Sequence, residues 1–356
     1  MQYLRGASIG AAVVGAVLAT GCTEVESMNR EQSAPTSDRN IAPTASESIA
    51  PTREPGIAPT GEASVAPTSG VTQAAAAVKF DSARAWDHLR RQVAFGPRPS
   101  GTAALNECRQ YILAQLKAAG IDARQQAFMA RTPLGEMMMA NVIATIPGRR
   151  SERIIIASHF DTKRAPDFRF VGASDGASST AALIELGRAL KSRQNEFTIE
   201  LLFLDGEESV NWEWRDPDNR YGSRHYVETA QKAGTLSTAK ALILLDMIGD
   251  KNLTIRRDAT STPWLVEAIW SAAAKLGHRG EFLNDLTAVE DDHVPFLRAG
   301  VPSVDIIDFG GGEDYPQWHT PQDDLDHVSA RSLQIVGDVV LAALPEIEGQ
   351  LANARR

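Results

Sequence analysis

The sequence predicts a three-layer α/β/α domain built on a mostly parallel, mixed central sheet. Three observations predict it. Near-continuous apolar runs recur at residues 140–146, 153–158, 198–204, 241–246, 253–256 and 303–307, and runs without polar alternation are strands covered on both faces. Helical apolar spacing fills stretches between them, at 178–192, 221–233, 263–276 and 330–344, giving the alternation of an α/β domain. Residues able to hold a metal or move a proton cluster at or just after the ends of several runs, where such sheets gather their sites.

The front of the chain stands outside this fold. Arg5 gives a basic start, and residues 7–20 form an apolar stretch ending in Leu18-Ala19-Thr20-Gly21-Cys22. It is too short to span a bilayer and reads as an export signal, residues 1–22. Small residues before Cys22 resemble a bacterial lipobox, with Leu18 one place earlier than the preferred position and Ala19 in its stead, so a lipidated Cys22 is expected to become the mature N-terminus. Thr23, rather than Asp, favours outer-membrane sorting, so an exported, periplasmic or outer-membrane-anchored lipoprotein is expected. Residues 23–77 repeat Ala-Pro-Thr every eight residues, from Ala34 through Ala42, Ala50 and Ala58 to Ala66. With few large apolar groups this linker cannot build a core, and an extended tether is expected.

Residues 78–356 are read as one domain, and a chain of 356 residues, 43% hydrophobic, is long enough for its core. The net charge of -9 disfavours nucleic acid as a partner. Amphipathic helices are expected at 82–95 and 103–119, separated by a turn-rich Gly-Pro-Arg-Pro-Ser-Gly stretch at 96–101, with Gly120 ending the second. Cys108 lies within that helix as a small packed residue, and with Cys22 lipidated no intrachain disulfide forms. Met137-Met138-Met139 is expected to lead into a strand and pack against the core. Gly310-Gly311-Gly312 reads as a flexible loop that either shapes a pocket entrance or is a plain surface turn.

The most informative local feature is Glu207-Glu208, just after the run Phe197–Leu204. Neighbouring strand side chains point to opposite faces, but where the backbone turns at a strand end two neighbours can reach one cavity. Two carboxylates there repel each other, and burying them is costly without a positive partner. A metal resolves the conflict by taking one glutamate as ligand and leaving the other as a base of tuned pKa. Comparable junctions are expected at His159-Phe160-Asp161, Gly172-Ala173-Ser174-Asp175-Gly176, Leu245-Asp246-Met247-Ile248-Gly249-Asp250 and Trp318-His319-Thr320. Two of the chain's 7 histidines fall there. Carboxylate and imidazole are the ligands zinc takes when one position stays open. For any one of these residues a cap, a turn or a satisfied polar group is the commoner explanation, but structural need does not explain all five in this order.

That order, with GPRPSGT (96–102) before it, resembles the zinc-dependent aminopeptidase family over residues 80–345. Within it the chain more closely resembles the animal-type glutaminyl-peptide cyclotransferases, or glutaminyl cyclases. The stretches that carry the resemblance are SHFDTK (158–163), DGEES (205–209), Trp214, YGSRH (221–225), LLDMIG (244–249), EDDHVPFLRAGVP (290–302) and WHTPQDDLD (318–326). It implies a zinc-aminopeptidase-like fold with one zinc per chain held by Asp175, Glu208 and His319. It makes Glu207 the general acid/base, Asp246 and Asp291 its hydrogen-bonding partners, and Trp318 and Trp214 the aromatic pocket residues. Glu290 stands at the substrate where animal cyclases tend to have glutamine. His159 occupies the place of a second-metal ligand in di-zinc peptidases, retained without that role in the cyclases. The loop between Glu208 and Tyr221 is one residue longer here, so Trp212 competes with Trp214. Ser158 and Thr180 stand where the animal enzymes have a disulfide.

The resemblance implies conversion of N-terminal glutamine on peptides or proteins to pyroglutamate with release of ammonia. A monomer that meets the membrane only through a lipid anchor at Cys22 is expected. A di-zinc aminopeptidase on the same fold is the second reading. A catalytically dead binding relative is the third, and the intact ligands and Glu207 argue against it. Metal count divides the first two, because a peptidase uses a second metal to hold the α-amine and activate water, whereas a cyclase must keep the amine lone pair free.

Overall fold

A computed structural model describes residues 79–354; the leader, Cys22 and the repeat linker lie outside the described residues. The Asp81 carboxylate caps α1 (Ser82–Ala94), accepting from Ala83 N at 3.0 Å and Arg84 N at 3.2 Å. Thr102 Oγ1 caps α2 (Ala103–Ala118) through Leu105 N at 3.3 Å. The chain then forms β1 (Asp122–Thr132), β2 (Gly135–Ile146), β3 (Arg150–His159), α3 (Ala177–Lys191), β4 (Phe197–Leu204), α4 (Tyr221–Lys232) and β5 (Ala239–Asp246). After these come β6 (Ile255–Asp258), α5 (Pro263–Lys275), β7 (Phe282–Thr287), α6 (His293–Arg298), β8 (Ser303–Ile307) and α7 (Ala330–Asn353).

Six strands form the central sheet in the order β1-β2-β4-β3-β5-β8. β1–β2 and β2–β4 are antiparallel, and β3–β4, β3–β5 and β5–β8 are parallel. Every residue of β4 is buried, as its unbroken apolar run requires. One apolar core joins side chains of α1, α2, α3, α5 and α7 to one face of the sheet, and a smaller one joins those of α4 and α6 to the other. The predicted three-layer, mostly parallel architecture is therefore the observed one. No helix among the described residues is long and apolar enough to cross a membrane.

Several local expectations are corrected. The run at 253–256 forms β6, shifted to Ile255–Asp258, and pairs with β7 in a separate two-stranded parallel ladder. β1 carries little sequence signal because an edge strand draws its hydrogen bonds from one partner and needs only one covered face. Met137-Met138-Met139 lies inside β2: alternation buries Met139 completely but leaves Met138 57% exposed. α7 does not stop near Leu344 but runs through Pro345 to Asn353. Its buried stripe continues through Ile347 to Glu348, whose carboxylate is gripped by Arg193 at 3.0 and 2.5 Å, so tertiary contacts override the proline. Gly310–Gly312 is a 3-10 turn, and a Cβ on Gly312 would lie 3.7 Å from Trp318. Cys108 is fully buried, as expected. Ser158 and Thr180 face each other with hydroxyl oxygens 3.2 Å apart, a hydrogen bond where the animal enzymes are expected to have a disulfide.

Candidate active site

β3, β4 and β5 deliver the site from their carboxyl ends. His159 and Asp246 are the last residues of β3 and β5, and Glu207-Glu208 follows β4. Gly206 makes that turn with φ +76°, a left-handed conformation that favours glycine. The remaining two segments do not sit at strand ends. Asp175 precedes α3, while Trp318-His319 lies in a turn region beyond β8.

These segments converge on a cavity of about 470 Å³. Asp175, Glu207, Glu208, Trp212, Trp214, Asp246, Glu290, Asp291, Trp318 and His319 all line it, so the structure brings together every sequence-predicted site residue except His159. His159 lies just beneath, 1% exposed, with Nε2 3.0 Å from Asp246 Oδ1 and 3.2 Å from Asp175 Oδ1. Asp246 Oδ1 also accepts from Met247 N at 2.7 Å. Phe309 meets Trp318 edge-on at 4.9 Å, and Trp318 stacks on His319 at 4.1 Å. Both Trp212 and Trp214 reach the cavity, which answers the competition between them with two roles: Trp212 packs 5.7 Å from the His319 ring, whereas Trp214 lies over the Arg220 guanidinium at 5.8 Å.

Asp175, Glu208 and His319 offer ligand atoms all within 4.8 Å of one another. His319 Nε2 stands 3.0 Å from Glu208 Oε1 and 3.3 Å from Asp175 Oδ2. Asp175 Oδ2 and Glu208 Oε2 are buried without a hydrogen-bond partner. Two orphaned carboxylate oxygens beside an imidazole nitrogen, opening on a cavity, fit a catalytic zinc. A second triplet, His159, Asp175 and Asp246, meets the same spacing and shares Asp175.

Three residues that support the site, Asp161 among them within a flagged junction, were given no role of their own by sequence reasoning. The Asp161 carboxylate accepts from Glu207 N at 3.2 Å and Glu208 N at 3.3 Å, fixing the doublet's backbone. Asp323 accepts from Ser174 N at 2.7 Å, Asp175 N at 3.1 Å and the Tyr315 hydroxyl at 2.8 Å, fixing the loop of Asp175. Lys163, 1% exposed, donates to Ser209 O at 2.9 Å and lies 3.7 Å from Glu208 Oε2. The signal available was position: all three lie within SHFDTK or WHTPQDDLD. Asp323→Asn places an amide donor against one of two backbone N–H groups. It is expected to weaken zinc binding roughly ten-fold or more, read by competition with a chromogenic chelator; an unchanged affinity would remove Asp323 from this role.

The acidic wall is electrostatically tense. Burial pushes Glu207 well above the ordinary glutamate range; His159 opposes this, while Asp291, Glu208 and Asp292 add to it. Burial, then Asp246, raises Asp291 to about 7. Burial raises Asp246 to about 6 against the pull of His159. Such a cluster shares protons rather than ionising fully, and titrates as a unit.

Residues 141–344 match the family model of peptidase family M28. The crystal structure of a glutaminyl cyclase from an Acidobacteriales bacterium is 39% identical, covering 81% of this chain and 100% of that chain with a TM-score of 0.72. The glutaminyl-peptide cyclotransferase-like protein of Mus musculus is 31% identical over 276 residues, 69% of this chain and 70% of that protein. The crystal structure of a leucine aminopeptidase precursor from Bacteroides thetaiotaomicron is 28% identical, covering 75% of this chain and 98% of that chain with a TM-score of 0.69. The chain belongs to peptidase family M28 and, within it, to the glutaminyl-peptide cyclotransferases.

Proposed function

We infer that the chain is a zinc-dependent glutaminyl-peptide cyclotransferase, converting N-terminal glutamine of peptides or proteins to pyroglutamate and ammonia. The observation that carries this reading is the pairing of Glu207, free of the candidate ligand triplet, with Glu208, within it, on the wall of one cavity. It stands beside the family membership.

The substrate's α-amine attacks the amide carbon of its own side chain. A nitrogen–carbon bond forms, the bond to the amide nitrogen breaks, and ammonia leaves. Attack is intramolecular, so the protein's task is to fold the glutamine back on itself and manage one proton. Asp175, Glu208 and His319 would hold zinc, which as a Lewis acid would polarise the side-chain carbonyl. Glu207 takes the proton from the attacking amine and returns it to the departing nitrogen; its raised affinity for protons suits both halves of that transfer. Asp246 and Asp291 hold the amine by hydrogen bonds, and Trp318 closes one wall over the aliphatic stem.

One zinc per chain is favoured because Asp246 Oδ1 is already engaged by Met247 N and His159 Nε2. The second triplet, His159, Asp175 and Asp246, supports the alternative, a di-zinc aminopeptidase. Purified protein assayed on glutamine β-naphthylamide and leucine p-nitroanilide separates the two. Pyroglutamyl product from the first with no cleavage of the second is expected; cleavage of the leucine substrate without cyclisation would sink the cyclase reading. The lipobox-like Cys22 and the repeat linker support an exported, lipid-anchored enzyme. Metabolic labelling with a palmitate analogue, lost in Cys22→Ala, tests the anchor.

A further inference from the structure

The ribbon of β1 and β2 runs past the sheet it belongs to. β2 pairs with β4 from Val142, opposite Phe203, to Ile146, so the stretch of β2 before these residues extends beyond β4 together with its partners on β1. At about 3.3 Å per residue the ribbon projects on the order of 20 Å. β2 is antiparallel to β4, so it projects from the end of the sheet at which Glu207-Glu208 follows β4. Alternation turns Phe128 and Ala130 inward, with Met139 and Met137 opposite them. These side chains pack with Tyr221 and Val210, and Phe128 stacks on His225 at 4.2 Å. The inward face thereby ties the ribbon to the rim of the catalytic cavity. Met137, Val210 and Glu208 line one small crevice. Val210 leads directly into the exposed stretch 211–217, whose Trp212 and Trp214 line the cavity itself.

The outward face is apolar. Met129 and Met138 stand directly opposite each other, 51% and 57% exposed, and Leu134 in the turn is 59% exposed. Ala127 and Pro133 beside them are exposed too. Apolar surface held out in water on a projecting ribbon marks a place that a partner covers. On the cyclase reading, which this inference rests on, the glutamine lies among Glu207, Asp246, Asp291 and Trp318, and the rest of the substrate leaves across the rim to which the ribbon is tied. An extended chain covers about 3.3–3.6 Å per residue, so about six residues span the ribbon's projection.

We propose that Met129, Leu134 and Met138, on the outward face of the β1–β2 ribbon, dock the substrate polypeptide far from its reacting end, taking an apolar stretch about six to eight residues after the glutamine. The substrates implied are proteins and long peptides with such a stretch. Methionine side chains adapt to varied apolar partners, so the face selects a class of segment rather than one sequence. Contacts this far from the chemistry are the same in the ground and transition states, so they lower KM and leave kcat alone.

The test measures kcat and KM, by ammonia release, on wild type, Leu134→Ser and Met138→Ser. Both side chains are exposed, so the variants should fold. The substrates are Gln-Ala-NH2, a long peptide in which a Gly-Ser spacer separates the glutamine from Leu-Phe about seven residues on, and the same peptide with Ser-Ser in place of Leu-Phe. Wild type should show a KM about ten-fold lower for the Leu-Phe peptide than for the Ser-Ser peptide, at equal kcat. That ratio should fall toward one in both variants, with Gln-Ala-NH2 turned over as by wild type. Equal KM values for the two long peptides on wild type, or a ratio unchanged in both variants, overturns the docking face while turnover of Gln-Ala-NH2 upholds the cyclase reading. On the unacylated chain from Thr23, dimerisation in sedimentation that both variants lose assigns the face to a second copy. Flotation with phosphatidylglycerol vesicles that both variants lose assigns it to a membrane. Either result overturns the proposal. No ammonia from any of the three peptides overturns the cyclase reading and the docking face with it.

Discussion

Glu207→Gln is expected to bind zinc as tightly as the wild type and to lose on the order of 10²–10⁴-fold in kcat. The amide keeps the shape of the carboxyl and cannot shuttle a proton between two nitrogens. Glu207 is not among the three candidate ligands, so metal content should not move. Its backbone is held by Asp161 through Glu207 N at 3.2 Å, a contact that the substitution leaves in place, so the variant should fold and melt as the wild type does. Zinc content by atomic spectroscopy and kcat by ammonia release check the two halves separately. Full turnover would remove Glu207 from proton transfer. Loss of zinc along with activity would make it a ligand instead.

Removal of zinc should abolish activity and lower the melting temperature, and one equivalent per chain should restore both. Without zinc, Asp175 and Glu208 face each other around His319, and Asp175 Oδ2 and Glu208 Oε2 are buried without a hydrogen bond, which is costly. A ligand that binds only the folded state stabilises it by about 4 kcal/mol at a thousand-fold excess over its dissociation constant. Dialysis against a chelator followed by stepwise zinc addition, read by calorimetry and by ammonia release in parallel, gives the stoichiometry. Recovery that needs two equivalents would move His159, Asp175 and Asp246 from a hydrogen-bond network to a second metal site and favour the aminopeptidase.

The legible parts of the sequence were those in which one residue type has one physical use. The unbroken run Phe197–Leu204 had to be a covered strand, and Glu207-Glu208 after it had to be compensated. Both glutamates do reach one cavity. Supporting residues were less legible because their work is done through space. Asp161 and Asp323 act on backbone N–H groups 46 and 149 positions away in the chain, and an aspartate in a loop carries no mark of that partner. β1 escaped notice because an edge strand needs little apolar surface. Trp212 and Trp214 could not be told apart by counting positions, since the turn between β4 and α4 brings both indoles to the cavity.

The sequence by itself determined the α/β layering, the identity of the residues that could hold a metal or a proton, and the order in which they arrive. Periodicity and side-chain chemistry are local, and both survive in a linear string. Only the tertiary structure decided that Asp175 and His319, which are not at strand ends, meet Glu208, and that Asp246 is satisfied by His159. It also decided that two tryptophans share one mouth. Those outcomes depend on where loops of unequal length return to the sheet, and packing sets that path.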